Sequence, residues 1–173
     1  GDWSSDVCSS DLWITSQKLT PLAIASLDRA AATGKRFFAW FHYMDPHDVY
    51  VAHPGGPEFG GRPRDRYDAE VHFTDGWIGK LVDHIEAQPW SKDTVLVVTA
   101  DHGEAFGEHG LWRHAFELYE PLVRVPMFFV IPDVAARRVD VPRSHVDLAP
   151  TILEWLGVAR PADLPGTDRK STR

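Results

Sequence analysis

The sequence contains little cysteine, more acid than base, and no long apolar run. Cys8 is the one cysteine among 173 residues, so the cysteine content gives no information on the redox compartment. Eighteen Lys and Arg residues against 25 Asp and Glu give a net charge of −7, which argues against a nucleic-acid-binding surface built on positive charge. The apolar stretches 94–100 and 125–131 are far shorter than the roughly 20 residues of a transmembrane helix. We therefore predict neither a nucleic-acid partner nor a membrane span in this chain.

The two ends of the chain read as translated sequencing adapter. Residues 1–12 match one reading frame of a common library adapter, and residues 168–173 match its reverse complement. The first segment also lacks the basic and apolar regions of a signal peptide. We therefore assign both segments, including Cys8, to the adapter, and expect residues 13–167 to be part of one domain of a longer protein.

The composition is that of a globular domain, with 43% hydrophobic and 25% charged residues. Nearly continuous apolar segments predict buried strands at 36–44, 94–100 and 125–131. Capping residues and helical spacing predict helices from Thr20-Pro21 to about Gly34, over about 66–88, and from Asp147 to Gly157. This order predicts an α/β layered domain with a mainly parallel sheet and helices on both faces.

Polar residues follow two of the predicted strands, where open α/β sheets bind their ligands. Residues 101–110 contain three carboxylates and two imidazoles between glycines, and residues 44–48 are again acidic and include His47. Two like charges about 4 Å apart repel by roughly 4 kcal/mol at an effective dielectric of about 20. Such a cluster needs a cation or must spread into water. The pattern therefore predicts either a ligand site at this edge of the sheet or a solvated turn.

Five blocks of the sequence resemble the central to C-terminal part of a known family. In chain order they are FFAWFHYMDPHDVY, YDAEVHFTDGWIGKL, TVLVVTADHGEAFGEHG, ELYEPLVRVPMFFVIP and SHVDLAPTILEWLG. Together they cover nearly all of residues 37–166 and are similar to sulfatases of the alkaline phosphatase superfamily. The resemblance implies an alkaline-phosphatase-like fold truncated on its N-terminal side, with residues 13–167 as a partial catalytic domain. It also implies a metal-dependent hydrolase of sulfate esters.

The resemblance implies one divalent metal, with Asp101 and His102 as two of its ligands. Many sulfatases carry Asn where this chain has His102. Oxygen ligands favour Ca²⁺, and an imidazole ligand leaves Mn²⁺ or Zn²⁺ open. The family's other metal ligands are a pair of Asp residues that the resemblance places outside this chain.

Catalytic and substrate-binding side chains are also implied by the resemblance. His47 is expected to face the sulfate oxygens as a hydrogen-bond donor or general acid, and the alternative is a capping role in its loop. His114 is expected at the leaving-group oxygen, although an alignment shift of one residue gives this role to Arg113. Arg113 and His109 are assigned to substrate binding, and the alternative for His109 is to orient its loop.

The family's nucleophile lies in a Cys/Ser-x-Pro-x-Arg segment, in which the Cys or Ser becomes formylglycine. No such pattern occurs in this sequence, so we predict that the chain as written is inactive. The implied substrate is a sulfated small molecule or glycan, and the resemblance alone favours a periplasmic or extracellular location. The alternatives are a phosphodiesterase, phosphonate monoester hydrolase or phosphoethanolamine transferase of the same superfamily, or a non-catalytic binding protein with this fold. The oligomeric state stays open.

Overall fold

The computed structural model describes residues 15–47, 49–51, 53, 55–114 and 117–168. The predicted adapter segment 1–12 lies outside these residues, as do residues 169–173. The chain divides into two compact units, Gly1–Val134 and Ala135–Arg173. Both helices and strands are present, in agreement with the predicted α/β class. Among the described residues, no helix combines the length and apolar character needed to cross a membrane.

Two long helices form the core of the first unit. Helix α1 spans Ser16–Ala31 and helix α2 spans Pro63–Glu86. They pack through four buried apolar side chains, Ala23, Leu27, Leu81 and Ile85. Burying a leucine or isoleucine side chain contributes about 1.5–3 kcal/mol. This helix pair is therefore a stable platform for the loops around it.

Helix α1 begins earlier than predicted because a distant carboxylate caps it. The sequence predicts a start at Thr20-Pro21, whereas the helix begins at Ser16 and contains Pro21. The buried Asp45 carboxylate accepts hydrogen bonds from the backbone N–H groups of Thr15 at 3.0 Å and Ser16 at 2.7 Å, and from the Ser16 hydroxyl. The first turn of a helix leaves such donors unpaired, and its dipole favours a negative charge there. Local sequence patterns do not reveal a partner 29 residues away.

Helix α2 also begins before its predicted start at residue 66. Pro63 occupies the first helical position, where its missing N–H removes no helical hydrogen bond. The Asp65 carboxylate accepts the Arg62 backbone N–H at 2.9 Å and pairs with the Arg62 guanidinium at 2.8 Å. These hydrogen bonds from Arg62 lower the pKa of Asp65. The start of α2 is thus fixed by the residue just before it.

Four short strands follow α2, namely β1 (Leu96–Thr99), β2 (Ala105–Phe106), β3 (Trp112–Arg113) and β4 (Met127–Val130). Strands β1 and β4 confirm two predicted strands and pair with each other, as β2 pairs with β3. Both pairs are antiparallel, where a mainly parallel sheet was expected. The five residues 107–111 between β2 and β3 are too few for the crossover of a dozen or more residues that a parallel pair needs. A helix of 4 residues, α3 (Glu120–Val123), lies between β3 and β4.

Residues 36–44, predicted to form a strand, have no regular secondary structure. A strand needs a neighbour for its backbone hydrogen bonds, and the sheets of the described chain contain only β1 to β4. The Met44 N–H donates instead to the Thr15 hydroxyl at 3.1 Å. Phe38 and Trp40 are exposed rather than buried in a sheet. The prediction is wrong because an apolar sequence alone does not supply a pairing partner.

In the second unit, helix α4 spans Leu148–Leu156 and confirms the predicted bounds. Asp147 is its N-cap residue, but its side chain makes no capping hydrogen bond, so the predicted cap is wrong in this respect. Gly157 adopts φ 64° just after the helix ends, a conformation that favours glycine. The Asp147 carboxylate accepts the Thr167 N–H at 2.8 Å, which ties the segment after α4 back to its start. A Cβ at Gly166 would lie 2.2 Å from the Val146 carbonyl oxygen, so glycine is needed at this close approach.

The role of Asp45 is testable by the substitution Asp45→Asn. Asparagine keeps one acceptor oxygen and turns an NH₂ group towards donors, so we expect the free energy of unfolding to fall by about 1–3 kcal/mol. Urea unfolding followed by circular dichroism measures this change. Asp75→Asn, at an exposed position on α2, is the matched control and should have little effect. Equal stabilities of the two variants would contradict the assignment.

Candidate active site

The loop after β1 is held against α3 by a close backbone approach. The Gly103 N–H donates to the Leu122 carbonyl at 2.7 Å. A Cβ at Gly103 would lie 2.1 Å from the Pro121 carbonyl oxygen, so only glycine fits here. This contact fixes the segment that presents His102 on one side of Gly103 and Glu104 on the other.

Asp101 and His102, the predicted metal ligands, are neighbouring donors that are open to solvent. Their side chains are 66% and 43% exposed, and His102 Nε2 lies 3.8 Å from Asp101 Oδ2. His102 Nδ1 lies 2.9 Å from the Gly103 carbonyl oxygen. Because a carbonyl only accepts, Nδ1 carries the proton and Nε2 keeps its lone pair. Metal-binding histidines are commonly oriented by such a second hydrogen bond.

This pair fits two ligands of a divalent metal. Metal–ligand bonds of about 2.0–2.6 Å allow donor atoms 3.8 Å apart to bind one ion. Within the described ranges, no group of three or more His, Cys, Asp or Glu is arranged to hold a metal ion. The donor set is therefore chemically suitable, and the remaining ligands must come from other atoms.

Two further imidazole rings, those of His114 and His47, continue from the His102 ring. The ring centroid of His114 is 4.2 Å from that of His102 and 5.6 Å from that of His47. We refer to His102, His114 and His47 as the imidazole row. The rings come from three separate loops, so the predicted proximity of the segments 44–48 and 101–110 is observed here through His47.

Glu104 orients the central ring of the imidazole row. His114 Nδ1 lies 3.3 Å from both carboxylate oxygens, and the Tyr50 hydroxyl donates to Oε2 at 2.7 Å. The Glu104 side chain is only 5% exposed. Because an ionised carboxylate only accepts, His114 Nδ1 carries a proton, and Nε2 is the atom left to exchange one. Burial and the charge of Glu104 both raise the pKa of the nearby Tyr67 phenol.

Glu70 holds the loop that carries His47. Its side chain, on α2, is completely buried. One carboxylate oxygen accepts the His47 N–H at 3.2 Å, and the other accepts the Val51 N–H at 2.8 Å. His53 Nε2 lies 3.8 Å from the same carboxylate; burial lowers the pKa of His53, and the charge of Asp45 opposes this shift. A single acid on the helix thus holds His47 and Val51, whose backbones belong to no helix or strand.

The other two predicted residues lie in the hairpin region. The His109 ring stacks on Tyr119, with centroids 4.1 Å apart and planes 13° apart. Arg113 has φ 68° and lines a cavity of about 460 Å³ together with Trp112 and Phe106. Arg113 is adjacent in sequence to His114, and Tyr50, which also lines the cavity, donates to the Glu104 carboxylate that faces His114.

The structure brings Asp101, His102, His114 and His47 together, and it adds two acids that the sequence analysis did not single out. Glu70 has a recognisable signal, since it shares the buried face of α2 with Thr74, Leu81 and Ile85. An acid on a buried face requires partners. Glu104 has no such signal, because it lies in a glycine-containing loop with no helical or strand periodicity to mark a buried face.

Comparison with solved structures defines the fold class. The crystal structure of Ps i-CgsB superposes with a TM-score of 0.76 and 26% sequence identity, covering 89% of this chain and 37% of that chain. The likeness is to an α/β fold of the alkaline-phosphatase-like class, as predicted. The site lies in loops of that fold.

Sequence comparison then identifies the family. The family profile named Sulfatase matches residues 5–158. Choline-sulfatase of Rhizobium meliloti is 31% identical over 107 residues, covering 62% of this chain and 21% of that protein. Iduronate 2-sulfatase of Homo sapiens is 30% identical over 145 residues, covering 78% of this chain and 26% of that protein. The chain belongs to the sulfatase family, which confirms the resemblance, and it spans about a quarter or less of these relatives' length.

The anchoring role of Glu70 is testable by Glu70→Gln. Glutamine keeps one acceptor and places an NH₂ group against the second backbone donor, so the loop should loosen. We expect amide hydrogen exchange at His47 and Val51 to accelerate at least tenfold, corresponding to about 1.4 kcal/mol or more.

Hydrogen exchange measured by NMR checks this prediction, with Glu86→Gln as the control at an exposed position of the same helix. Unchanged exchange at both amides in Glu70→Gln would show that the carboxylate does not hold the loop.

Proposed function

We propose that the whole protein hydrolyses sulfate esters with one divalent metal, and that this chain supplies part of its metal site and a proton donor. The observation that carries the proposal is the imidazole row beside the Asp101 and His102 donors. Breaking a sulfate ester develops negative charge on sulfate and leaving-group oxygens. Stabilising that charge requires cationic groups and a proton in one place. Family membership supports this chemistry, because sulfatases in general use a divalent metal and formylglycine.

Asp101 and His102 are the metal ligands that this chain contributes. The hydrogen bond from His102 to Gly103 orients the ring and leaves Nε2 available. Ca²⁺ is favoured by oxygen ligands, and the imidazole admits Mn²⁺ or Zn²⁺. A bound metal supplies Lewis-acid stabilisation of the sulfate oxygens.

His114 is the proton donor to the leaving-group oxygen. Glu104 holds its Nδ1 proton, so a second proton on Nε2 is directed away from that carboxylate. His47, fixed through its backbone by Glu70, donates a hydrogen bond to the sulfate oxygens. Arg113, the alternative to His114, binds substrate in the neighbouring cavity. His109 binds substrate or orients the hairpin through its stack on Tyr119.

The nucleophile, a formylglycine, belongs to a part of the protein outside this sequence. We therefore expect no sulfate release from p-nitrophenyl sulfate by the 173-residue chain alone. The substrate is a sulfated small molecule or glycan. The relatives named for choline sulfate and for iduronate support this range without selecting within it.

The proton-donor role is tested in the whole protein with His114→Gln. An alkyl sulfate has a poor leaving group, so loss of the acid should lower kcat/KM by about 10²–10⁴-fold. p-Nitrophenyl sulfate has a good leaving group and should be affected much less. The control is His84→Gln. The His84 ring lies on α2, and its Nε2 is 2.8 Å from Asp28 Oδ1 on α1. Equal losses on both substrates would contradict the role, and faster cleavage of p-nitrophenyl phosphate than of the sulfate would indicate a phosphoryl-transfer enzyme.

The metal pair is tested in this chain by NMR with Mn²⁺ as a paramagnetic probe. Substoichiometric Mn²⁺ should broaden the signals of His102, Gly103 and His114, and excess Ca²⁺ should restore them. Asp101→Asn and His102→Gln should each abolish the selective broadening, whereas Asp75→Asn should not. Broadening that persists in both ligand variants would place the metal elsewhere.

A further inference from the structure

The cavity beside the imidazole row has the walls of a ring-binding site. Its volume of about 460 Å³ is within the usual range for small-molecule sites. Tyr50 and Phe106 line it with ring centroids 6.0 Å apart. Trp112, opposite Phe106 in the β2–β3 pair, lines it with a side chain that is 60% exposed. We refer to this cavity as the aromatic cleft.

Two connections join the aromatic cleft to the proposed sulfate ester site: one is a peptide bond and the other is a pair of hydrogen bonds. Arg113 lines the cleft and directly precedes His114 in the chain. Tyr50 lines the cleft and donates its hydroxyl hydrogen to Glu104, which also contacts His114. A substrate with its sulfate at the imidazole row would therefore extend into the cleft.

The lining of the aromatic cleft is positively charged. Arg66 on α2 and Arg113 on β3 both line it, and none of its described lining residues is acidic. The acids near Arg66 on the helix are engaged elsewhere, Asp65 with Arg62 and Asp68 with Arg64. This concentration of guanidinium groups contrasts with the net charge of −7 for the chain. Two carboxylates adjoin the lining, and each accepts a hydrogen bond from it, Glu104 from the Tyr50 hydroxyl and Glu108 from the Phe106 N–H. The two guanidinium groups favour a carboxylate or sulfate, which they bind in a bidentate manner.

We propose that the aromatic cleft binds a pyranose ring carrying a second anionic group, a carboxylate or a sulfate. The aromatic rings pack against the apolar face of the sugar, and Arg66 and Arg113 bind its anion. The proposal rests on the proposed function in one respect, because it takes the bound pyranose ring to be part of the same glycan whose sulfate ester is cleaved. It specifies an anionic glycan rather than a neutral or cationic small sulfate ester.

The test is an NMR titration of this chain with three tetrasaccharides, following the tryptophan indole N–H signals. Hyaluronan tetrasaccharide carries carboxylates without sulfate, fully N-sulfated chitotetraose carries sulfates without carboxylates, and chitotetraose is neutral. We expect at least one anionic probe to bind about tenfold or more tightly than chitotetraose, and the tighter of the two identifies the anion.

Exposed-residue variants separate the contributions. Arg66→Gln and Arg113→Gln should each weaken the anionic probe by about tenfold and leave chitotetraose unchanged. Trp112→Ala should weaken all three probes by a similar factor. Arg29→Gln is the control, because Arg29 is on α1 and bonds Ser26 at 2.9 Å.

Binding of chitotetraose as tight as that of both anionic probes would overturn the proposal, as would anionic binding that is unaffected by both arginine substitutions. Hyaluronan contains no sulfate ester, so its binding is independent of hydrolysis. Failure of this titration and failure of sulfate hydrolysis in the whole protein are therefore separate results.

Discussion

Buried carboxylates hold the backbone in the regions where regular secondary structure does not. The described residues between α1 and α2 contain no strand, and their backbone N–H groups still need acceptors. Asp45 joins this segment to the start of α1, and Glu70 joins it to α2. A carboxylate is costly to bury unless its hydrogen bonds are made, so each acid strongly favours one arrangement of its loop. The imidazole row depends on this constraint, because His47 meets His114 from a loop that Glu70 holds.

The three residues of the imidazole row are held by different acceptors, two through the ring and one through the backbone. A backbone carbonyl accepts from His102, a carboxylate faces His114, and a second carboxylate holds His47 through its backbone. For the first two rings this determines which nitrogen carries the proton. The chemistry that we propose uses the opposite nitrogen of each ring, which binds metal in one case and delivers a proton in the other. Two residues of the same type, His102 and His114, therefore have different proposed functions, and they differ in the acceptor that binds their Nδ1 proton.

Local sequence patterns predicted those elements whose causes are local. Helix α4 ends just before Gly157, and its predicted bounds are confirmed, although the Asp147 side chain makes no capping hydrogen bond. The start of α1 and the strand at 36–44 were mispredicted, because one depends on Asp45 and the other on a pairing partner. In the site, His47 does lie near the 101–114 region, but the reason given by the sequence was wrong, because no strand of the described chain precedes His47. The orienting acids were not predicted, because burial of Glu104 is a property of the folded chain.

The backbone conformation at Arg113 positions two neighbouring side chains with different proposed roles, Arg113 in substrate binding and His114 in proton donation. A residue with φ 68° that is not glycine is strained, by about 1–3 kcal/mol for such conformations, and persists because the β2–β3 pair holds it. An insertion or register change in this hairpin would displace both Arg113 and His114. Arg66, on α2, can be replaced without moving either. With the roles that we propose, substrate preference can therefore change through the helix during evolution while the proposed proton donor His114 is retained, whereas the hairpin can change only as a unit.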